Sequence, residues 1–160
     1  MRPERKRSPL ALLPSTSYLY KDPLGCVLII APWNYPFQLL INPLVGAIAG
    51  GNCAILKPSE LATATASVIE KIIAETFSPS YIATVQGEGH EVIPEMMQNH
   101  RFDLVFFTGS IPVGYSIAEM AAKKLTPVVL ELGGKSPCVV DKDVDLVHAA
   151  KRIVWGKFTN

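Results

Sequence analysis

The sequence predicts an α/β protein in which a parallel sheet carries helices on both of its faces. Short apolar runs without charge end at Pro, Gly or Ser residues, which is typical of strands buried on both faces. These runs alternate with segments of helical periodicity. The connections between them are short, as right-handed crossovers in a parallel sheet require. We therefore expect a Rossmann-like, doubly wound parallel sheet of about five strands.

The composition indicates a compact protein and excludes several classes of function. The chain has 160 residues, is 49% hydrophobic and 18% charged, and has a mean hydropathy of +0.26, which is too apolar for a disordered chain. The net charge of +1 favours neither nucleic acid nor an acidic partner. The three cysteines lie far apart without the spacing of a metal site, so we expect no metal and a reducing, cytoplasmic location.

Residues 1–22 are predicted to form a tail and an edge strand. The opening sequence MRPERKRSP is basic, and the apolar patch Leu10–Leu13 is too short for a secretory signal. A solvated basic tail is favoured over a nuclear or transit signal. The partly alternating run Ser15–Asp22 then predicts an edge strand or an arm.

One segment is apolar enough to raise the question of a membrane span. No charged residue occurs between Asp22 and Lys57, and Leu39–Leu56 is nearly long enough to cross a bilayer. Polar and turn-forming residues interrupt this run, namely Asn42, Pro43, Gly50, Gly51 and Asn52. We interpret it as part of a protein core, while membrane association of a longer protein stays open.

The first half of the sheet is organised around Cys26–Phe37, with the sequence CVLIIAPWNYPF. It predicts a buried strand followed by a Pro-Trp-Asn-Tyr-Pro turn. The apolar segment Phe37–Ala49 predicts helix. Because Pro43 interrupts this segment, two short helices and one kinked helix are both consistent with it. Cys53–Leu56 predicts the second strand.

Ser59 is expected to cap an amphipathic helix. Six residues at helical spacing form its predicted buried stripe: Leu61, Thr65, Val68, Ile69, Ile72 and Ile73. Tyr81–Gln86 predicts the third strand, Glu91–Gln98 a shorter helix, and Asp103–Phe107 the fourth strand.

The last third of the chain predicts one more strand–helix unit and two further elements. The helix is expected at Ile111–Lys124, with one buried face: Val113, Ile117, Met120 and Ala121. Pro127–Leu130 predicts the fifth strand, Ser136–Val140 a further strand, and Asp143–Lys157 a helix. Cys26 and Cys53 open buried strands and Cys138 lies inside the further strand, so all three thiols are expected to be buried rather than reactive.

Residues that could bind a ligand or take part in a reaction follow four of the predicted strands. They are Asn34, Lys57–Glu60, Gly109–Ser110 and Glu131. Parallel strands bring their carboxyl ends to one edge, where ligands bind in open α/β sheets. The sequence therefore predicts that these residues meet in space and form one site.

Two of these groups suit a nucleotide. The run from Gly109 to Gly114, GSIPVG, opens a helix directly after a strand, and such a helix start binds phosphate or simply has Ser110 as its cap. Lys57 and Glu60 suit ribose hydroxyls, or else Lys57 is solvated and Glu60 merely favours a first helical turn.

The other two groups suit acid–base and oxyanion chemistry. Glu131, beside two glycines, is either a general base in a partly dry cleft or a solvated strand-end carboxylate. Asn34 either caps the following helix or donates to a developing oxyanion. Trp33 and Tyr35 are expected to fill a core or a wall.

With these residues in place, the sequence resembles the aldehyde dehydrogenase superfamily, and its class 3 branch for fatty or aromatic aldehydes in particular. The resemblance rests on motifs in the family's order and spacing: APWNYP, ILKPSE, FFTGSIPVG, LELGGKSP and WGKF. It covers nearly the whole chain, from about Ser8 onward. It implies NAD(P)-dependent oxidation of an aldehyde to a carboxylic acid, and a homodimer for the full-length protein.

The resemblance also implies a role for individual residues. Asn34 resembles the oxyanion-hole amide and Glu131 the general base that activates the deacylating water. Lys57 and Glu60 resemble the adenosine-ribose contacts. The remaining cofactor positions implied are Ala31, Pro32, Trp33, Gly109, Ser110, Val113, Gly114, Leu132 and Gly133. Because Glu60 would repel a 2′-phosphate, NAD is expected over NADP, which the class 3 branch also tolerates.

The sequence departs from the family in one respect. In the family, WGKF is followed within a few residues by the nucleophilic cysteine, and none of the three cysteines occupies that place. We therefore expect residues 23–140 to be an NAD-binding domain and 141–160 a helix that leads to a catalytic domain. Without the nucleophile, the chain by itself is expected to be inactive. The alternatives are a non-catalytic nucleotide-binding module and an interaction domain.

Overall fold

The computed structural model describes residues 2–159 and contains the predicted parallel sheet. In chain order the strands are β1 (Glu4–Lys6), β2 (Ser17–Leu19), β3 (Cys26–Ile30), β4 (Cys53–Lys57), β5 (Ile82–Thr84), β6 (Leu104–Gly109) and β7 (Val128–Leu132). The last five of these strands form the parallel sheet, in the order β5-β4-β3-β6-β7. The helices are α1 (Gln38–Ala49), α2 (Thr63–Thr76), α3 (Gly89–Asn99), α4 (Ile111–Ala122) and α5 (Leu146–Phe158).

Helices cover both faces of this sheet, which confirms the doubly wound arrangement. Along β3, Val27 and Ile29 pack with α1 and α2, whereas Leu28 and Ile30 pack with α3 and α4. All four of these side chains are at most 5% exposed. This burial on both faces explains why β3 is a continuous apolar run rather than an alternating one.

The chain reverses direction across the sheet between β3 and β6. The strands β3, β4 and β5 advance to one edge, and α3 then returns the chain so that β6 pairs with β3 on its other side. Such a reversal leaves a crevice at the carboxyl ends of the two central strands, where doubly wound proteins bind ligands.

The N-terminal region forms a separate two-stranded ribbon instead of an edge of the main sheet. Residue Arg5 of β1 pairs with Tyr18 of β2 in antiparallel register. The predicted basic tail therefore contains a strand, and the predicted edge strand pairs with that strand. Opposite charges accompany the pairing, since Glu4 lies 2.8 Å from both Lys6 and Lys21.

The segment after β7 is irregular, so the further strand expected at Ser136–Val140 is absent. Ser136 has a left-handed φ of +40°, which strands do not use, and Val139 is 92% exposed. Cys138 is consequently exposed rather than buried, and Cys26 and Cys53 are half-buried. The expectation of three buried thiols was wrong for two reasons. Cys138 does not lie in a strand, and the first residues of β3 and β4, Cys26 and Cys53, are only partly covered by the helices.

The helix α1 is one continuous helix that includes Pro43, which decides between the two alternatives left by the sequence. Proline lacks the N–H that would bond the carbonyl of Leu39, four residues earlier. The buried residues Leu40, Leu44 and Ala47 hold α1 on the sheet. Packing therefore outweighs the missing hydrogen bond.

The predicted apolar stripes are partly wrong. Ser59 caps a short 3₁₀ turn, Glu60–Ala62, and α2 itself buries Ala66, Ile69 and Ile73. Four residues expected on buried faces are substantially exposed: Leu61 75%, Val68 58%, Ile72 46% and Val113 43%. The 3₁₀ turn before α2 changes which residues of this segment face the sheet. In addition, the small residue Ala66 faces the sheet, where the two backbones approach closely.

The last helix, α5, begins at Leu146, where the Asp145 carboxylate accepts hydrogen bonds from the N–H groups of Val147 and His148 at 2.9 and 3.1 Å. It buries none of its residues. Among residues 2–159, no helix is both long and apolar enough to cross a membrane.

Candidate active site

A large cavity lies at the carboxyl edge of the sheet, where the chain reversal predicts a crevice. Its volume is about 1400 Å³. It is lined by all of the predicted site residues except Gly114: Ala31, Pro32, Trp33, Asn34, Lys57, Glu60, Gly109, Ser110, Val113, Glu131, Leu132 and Gly133. The structure therefore brings together residues that are scattered over a hundred positions of the sequence.

Gly114 lies behind the cavity wall rather than in it. It is buried on α4, and a Cβ atom at this position would lie 2.7 Å from Cδ2 of Leu132. The glycine thus lets α4 approach β7 closely, and Leu132 in turn lines the cavity. Its contribution to the site is through packing.

Lys57 is buried at the end of β4, which excludes the interpretation of a solvated lysine. It is 2% exposed. Its ammonium group donates hydrogen bonds to the Glu60 carboxylate, Nζ to Oε2 at 2.7 Å, and to the carbonyl of Pro58 at 2.9 Å. A charged amine at this depth is stable only with such partners.

Glu60 joins the end of β4 to the start of α3. Its Oε2 atom accepts from Lys57, and its Oε1 atom accepts from the N–H of Gly89, the first residue of α3, at 3.0 Å. Partial burial acts to raise the pKa of Glu60, but the hydrogen bonds from Lys57 and Gly89 and the Lys57 charge outweigh it, so the pKa lies below its ordinary value.

Gly89 is a site residue that the sequence prediction missed. Besides donating to Glu60, it lines the cavity together with its neighbour His90. A Cβ atom on Gly89 would lie 3.1 Å from Oε1 of Glu60, so the close approach favours glycine. The available signal was the glycine pair in QGEGH, directly after a strand.

The start of α4 forms a second wall. Ser110 occupies the N-cap position, but its hydroxyl makes no capping hydrogen bond, and Pro112 stands in the first turn. The serine is exposed and lines the cavity. The sequence allowed Ser110 to be either a helix cap or part of a phosphate site, and the structure shows no capping by its side chain. The amino terminus of this 12-residue helix, with its partial positive charge, lies at the edge of the cavity, where it would favour an anionic group.

The turn after β3 forms the third wall. The N–H of Ala31 donates to the carbonyl of Lys57 at 3.1 Å, which joins this turn to the end of β4. Asn34 is half-buried, and α1 begins at Gln38 with Phe37 in the N-cap position, so Asn34 is not its N-cap. Trp33 is 60% exposed and forms part of the wall.

Glu131 lies inside β7, beside Thr108 of β6, rather than after the strand. It is exposed and lines the cavity. Within residues 2–159 its side chain forms no hydrogen bond or ion pair, although its backbone pairs with β6. Its carboxylate therefore has open access to a ligand or a water molecule in the cavity.

Two kinds of chemistry find no support among the described residues. No cysteine of residues 2–159 lines the cavity, because Cys26 and Cys53 begin their strands at the opposite edge of the sheet and Cys138 lies in the irregular segment. No group of three or more His, Cys, Asp or Glu residues in this part of the chain is arranged to hold a metal ion.

Comparison with known proteins decides the family. The model of the aldehyde dehydrogenase family matches residues 4–160. The chain belongs to the aldehyde dehydrogenase family. The resemblance seen in the motifs is thereby confirmed, and family 3 members are among the relatives of this aldehyde dehydrogenase chain.

Two curated relatives show how much of an aldehyde dehydrogenase the chain represents. It is 51% identical to a 4,4′-diaponeurosporen-aldehyde dehydrogenase of Staphylococcus aureus over 96% of the chain and 33% of that protein. It is 50% identical to aldehyde dehydrogenase family 3 member A2 of Macaca fascicularis over 90% of the chain and 29% of that protein. The chain thus spans about a third of the length of these aldehyde dehydrogenases.

Solved structures of aldehyde dehydrogenases share the fold. A substrate-bound S. aureus AldH superposes with a TM-score of 0.91 at 49% identity, covering 99% of this chain and 34% of that one. A betaine aldehyde dehydrogenase variant of the same species, in complex with NAD⁺, gives a TM-score of 0.85 at 34% identity, covering 96% of this chain and 31% of that one.

Proposed function

We propose that the protein to which these residues belong is an NAD(P)-dependent aldehyde dehydrogenase, and that residues 23–140 are its NAD-binding domain. The single observation that carries the proposal is the cavity at the chain reversal, where the Lys57–Glu60 pair and the start of α4 face the same space. Its volume of about 1400 Å³ exceeds the ~300–1,000 Å³ of ordinary small-molecule sites and suits a dinucleotide.

The residues present fit such a cofactor. Glu60 keeps lone pairs beyond those that Lys57 and Gly89 use, so it can accept bonds from ribose hydroxyls. Gly109 and Ser110, at the start of α4, would lie against the pyrophosphate. When bound, NAD accepts a hydride from the substrate. The existing pairing of Glu60 prepares its carboxylate for the ribose, because no rearrangement is needed on binding.

Asn34 and Glu131 would serve the substrate side of the cavity. The Asn34 amide would donate a hydrogen bond to the oxygen of the reacting carbonyl, which gains negative charge in the transition state. Glu131 would take a proton from the water that hydrolyses the thioester. The nucleophilic thiolate would come from residues outside this chain, because none of its cysteines lines the cavity.

The remaining parts of the proposal concern the whole protein. We propose an aldehyde as substrate, a homodimer as its assembly and the cytoplasm as its location, with residues 141–160 leading to the catalytic domain. A second candidate is a non-catalytic nucleotide-binding module. The observation that favours it is that no cysteine among residues 2–159 lines the cavity.

Cofactor binding by the 160-residue chain is expected to favour NAD over NADP. Titration calorimetry should give a tighter Kd for NAD, because the Glu60 carboxylate repels a 2′-phosphate. Glu60→Gln should narrow the ratio of the two Kd values by about tenfold, or ~1.4 kcal/mol. Glu75→Gln is the control, because Glu75 is exposed on α2 and outside the cavity. A folded chain that binds neither nucleotide at millimolar concentration would contradict the proposal.

In the complete protein, Glu131→Gln is expected to slow steady-state aldehyde oxidation about 10²–10⁴-fold. The first turnover should still yield a burst of NADH, because the amide cannot activate the hydrolytic water but does not affect the earlier steps. Stopped-flow absorbance measures both phases. Glu119→Gln on the exposed face of α4 is the control. A lost burst with an unchanged steady-state rate would assign Glu131 another role.

A further inference from the structure

Cys26 and Cys53 lie side by side at the amino-terminal edge of the sheet, opposite the cavity. Each is the first residue of its strand, and the two are register partners in the parallel pair β3–β4. Register partners project their side chains from the same face of a sheet. Cys26 packs against the core on the α3 and α4 face, so both thiols belong to that face.

The spacing of the two residues suits a disulfide after a small movement. Neighbouring strands lie about 4.8 Å apart, which falls inside the ~4.4–6.8 Å range of Cα separations in disulfides. The Cβ atoms must approach by about 1 Å to reach the mean of ~3.8 Å. Gly25, with φ +129°, directly precedes β3, and Gly51, with φ +75°, lies two residues before Cys53. The buried Asn52 side chain accepts hydrogen bonds from the N–H groups of Leu24 and Gly25 at 2.7 and 3.0 Å, so it holds the starts of the two strands side by side.

The surroundings disfavour the thiolate form of Cys26. Partial burial raises the pKa of the Cys26 thiol, and the neighbouring Cys53 and the Asp103 carboxylate raise it further. Asp103 is held beside Cys26 by accepting a hydrogen bond from the Cys26 N–H at 2.8 Å. Because the thiolate is the reactive form, the raised pKa makes Cys26 less reactive towards weak oxidants. Both cysteines are free and half-buried, so a small oxidant can reach them.

We propose that Cys26 and Cys53 form a cross-strand dithiol that hydroperoxides oxidise to an intramolecular disulfide. One thiolate attacks the peroxide oxygen and becomes a sulfenic acid, while the O–O bond breaks and an alcohol, or water from hydrogen peroxide, leaves. The second thiol then attacks the sulfenic sulfur, the S–S bond forms, and water leaves. Two thiols are oxidised by two electrons in total, and one hydroperoxide is reduced.

The test uses the 160-residue chain with Cys138→Ser, which removes the exposed third thiol. After hydrogen peroxide treatment, alkylation and digestion, mass spectrometry should find one peptide pair joined through Cys26 and Cys53, two hydrogens lighter than the free peptides. Dithiothreitol should reverse it. Cys26→Ser and Cys53→Ser in the same background should form no internal link. Separate sulfenic or sulfinic acids on the two residues would overturn the proposal.

The natural sequence provides a second measurement that does not depend on how the variant folds. Its three cysteines permit three internal pairings. The proposal requires that the 26–53 link dominates the peroxide-treated chain by at least tenfold over links to Cys138. An even distribution among the three pairings, or links between chains only, would overturn it.

Discussion

Lys57→Met is expected to lower the free energy of unfolding of the 160-residue chain by about 3 kcal/mol. The substitution removes the ammonium group, so the carbonyl of Pro58 and the Oε2 atom of Glu60 lose their donor. The expected loss lies at the lower end for broken buried ion pairs, because the Glu60 side chain is 31% exposed and still reaches water. Urea unfolding followed by circular dichroism measures it.

Lys71→Met is the matched control for this substitution. Lys71 is 76% exposed and pairs with Glu75 at 3.8 Å on the surface of α2, so its loss should cost less than about 0.5 kcal/mol. The Lys57→Met/Glu60→Gln double variant should lose less stability than the two single variants added together, because it contains neither an unpaired Glu60 carboxylate nor an unpaired Lys57 ammonium group. Equal stability of the Lys57 and Lys71 variants would show that the buried pair does not stabilise the fold.

The pH dependence of stability offers an independent measure of the same pair. The pKa of Glu60 lies below its ordinary value of 4.5 in the folded chain, so the contribution is complete above pH 4.5 and is lost as the pH falls through the lowered value. Lys57→Met removes the hydrogen bond and the positive charge by which Lys57 lowers this pKa, and the backbone hydrogen bond from Gly89 remains. When the pH is lowered from 4.5, the free energy of unfolding should therefore fall less in Lys57→Met than in the natural sequence.

The sheet could be predicted from the sequence because each of its strands has a recognisable local pattern. Fully buried parallel strands need uninterrupted apolar runs, and Cys26–Ile30 and Leu104–Phe107 are such runs. Turn residues at their ends then located the polar groups of the site. Since all parallel strands end at one edge, the meeting of Asn34 with Lys57 and Glu131 around one cavity followed without any tertiary information.

The partners of the site residues could not be predicted in the same way. That Lys57 is buried depends on the Pro58 carbonyl and Glu60 turning towards it, which no local pattern encodes. The link from Glu60 to Gly89 joins residues 29 positions apart and depends on where α3 begins. Contacts between loops are set by the packed elements that carry them, so they become visible only in three dimensions.

The errors in the predicted core have a related origin. Hydrophobicity selected Leu61 and Val68 for the buried stripe of α2, but the structure buries the small residue Ala66 there. A helix packed closely on a sheet favours small side chains at the contact and can leave larger ones outside. The strand β1, which pairs with the predicted strand β2, was missed because its charged residues Glu4 and Lys6 do not resemble a strand.

Asn34→Ala is expected to lower kcat of the complete protein about 10²–10³-fold with little change in the KM for the aldehyde. The amide would act on charge that develops only in the transition state, so its loss should leave ground-state binding intact. The position of Asn34 on the turn after β3, half-buried in the cavity wall, suits a donor held in place before the reaction. Steady-state kinetics over a range of aldehyde concentrations separate kcat from KM.

Gln38→Ala provides the comparison, because Gln38 is also an amide, is exposed at the start of α1 and lies outside the cavity. Its kcat should stay within about twofold of the natural protein. NAD affinity should also be unchanged in Asn34→Ala, since the Lys57–Glu60 pair that would hold the ribose is untouched. An Asn34→Ala protein that retains its kcat but loses NAD binding would move Asn34 from the substrate side of the cavity to the cofactor side. That outcome would leave the developing oxyanion to be stabilised by backbone N–H groups, the other donors that such sites use.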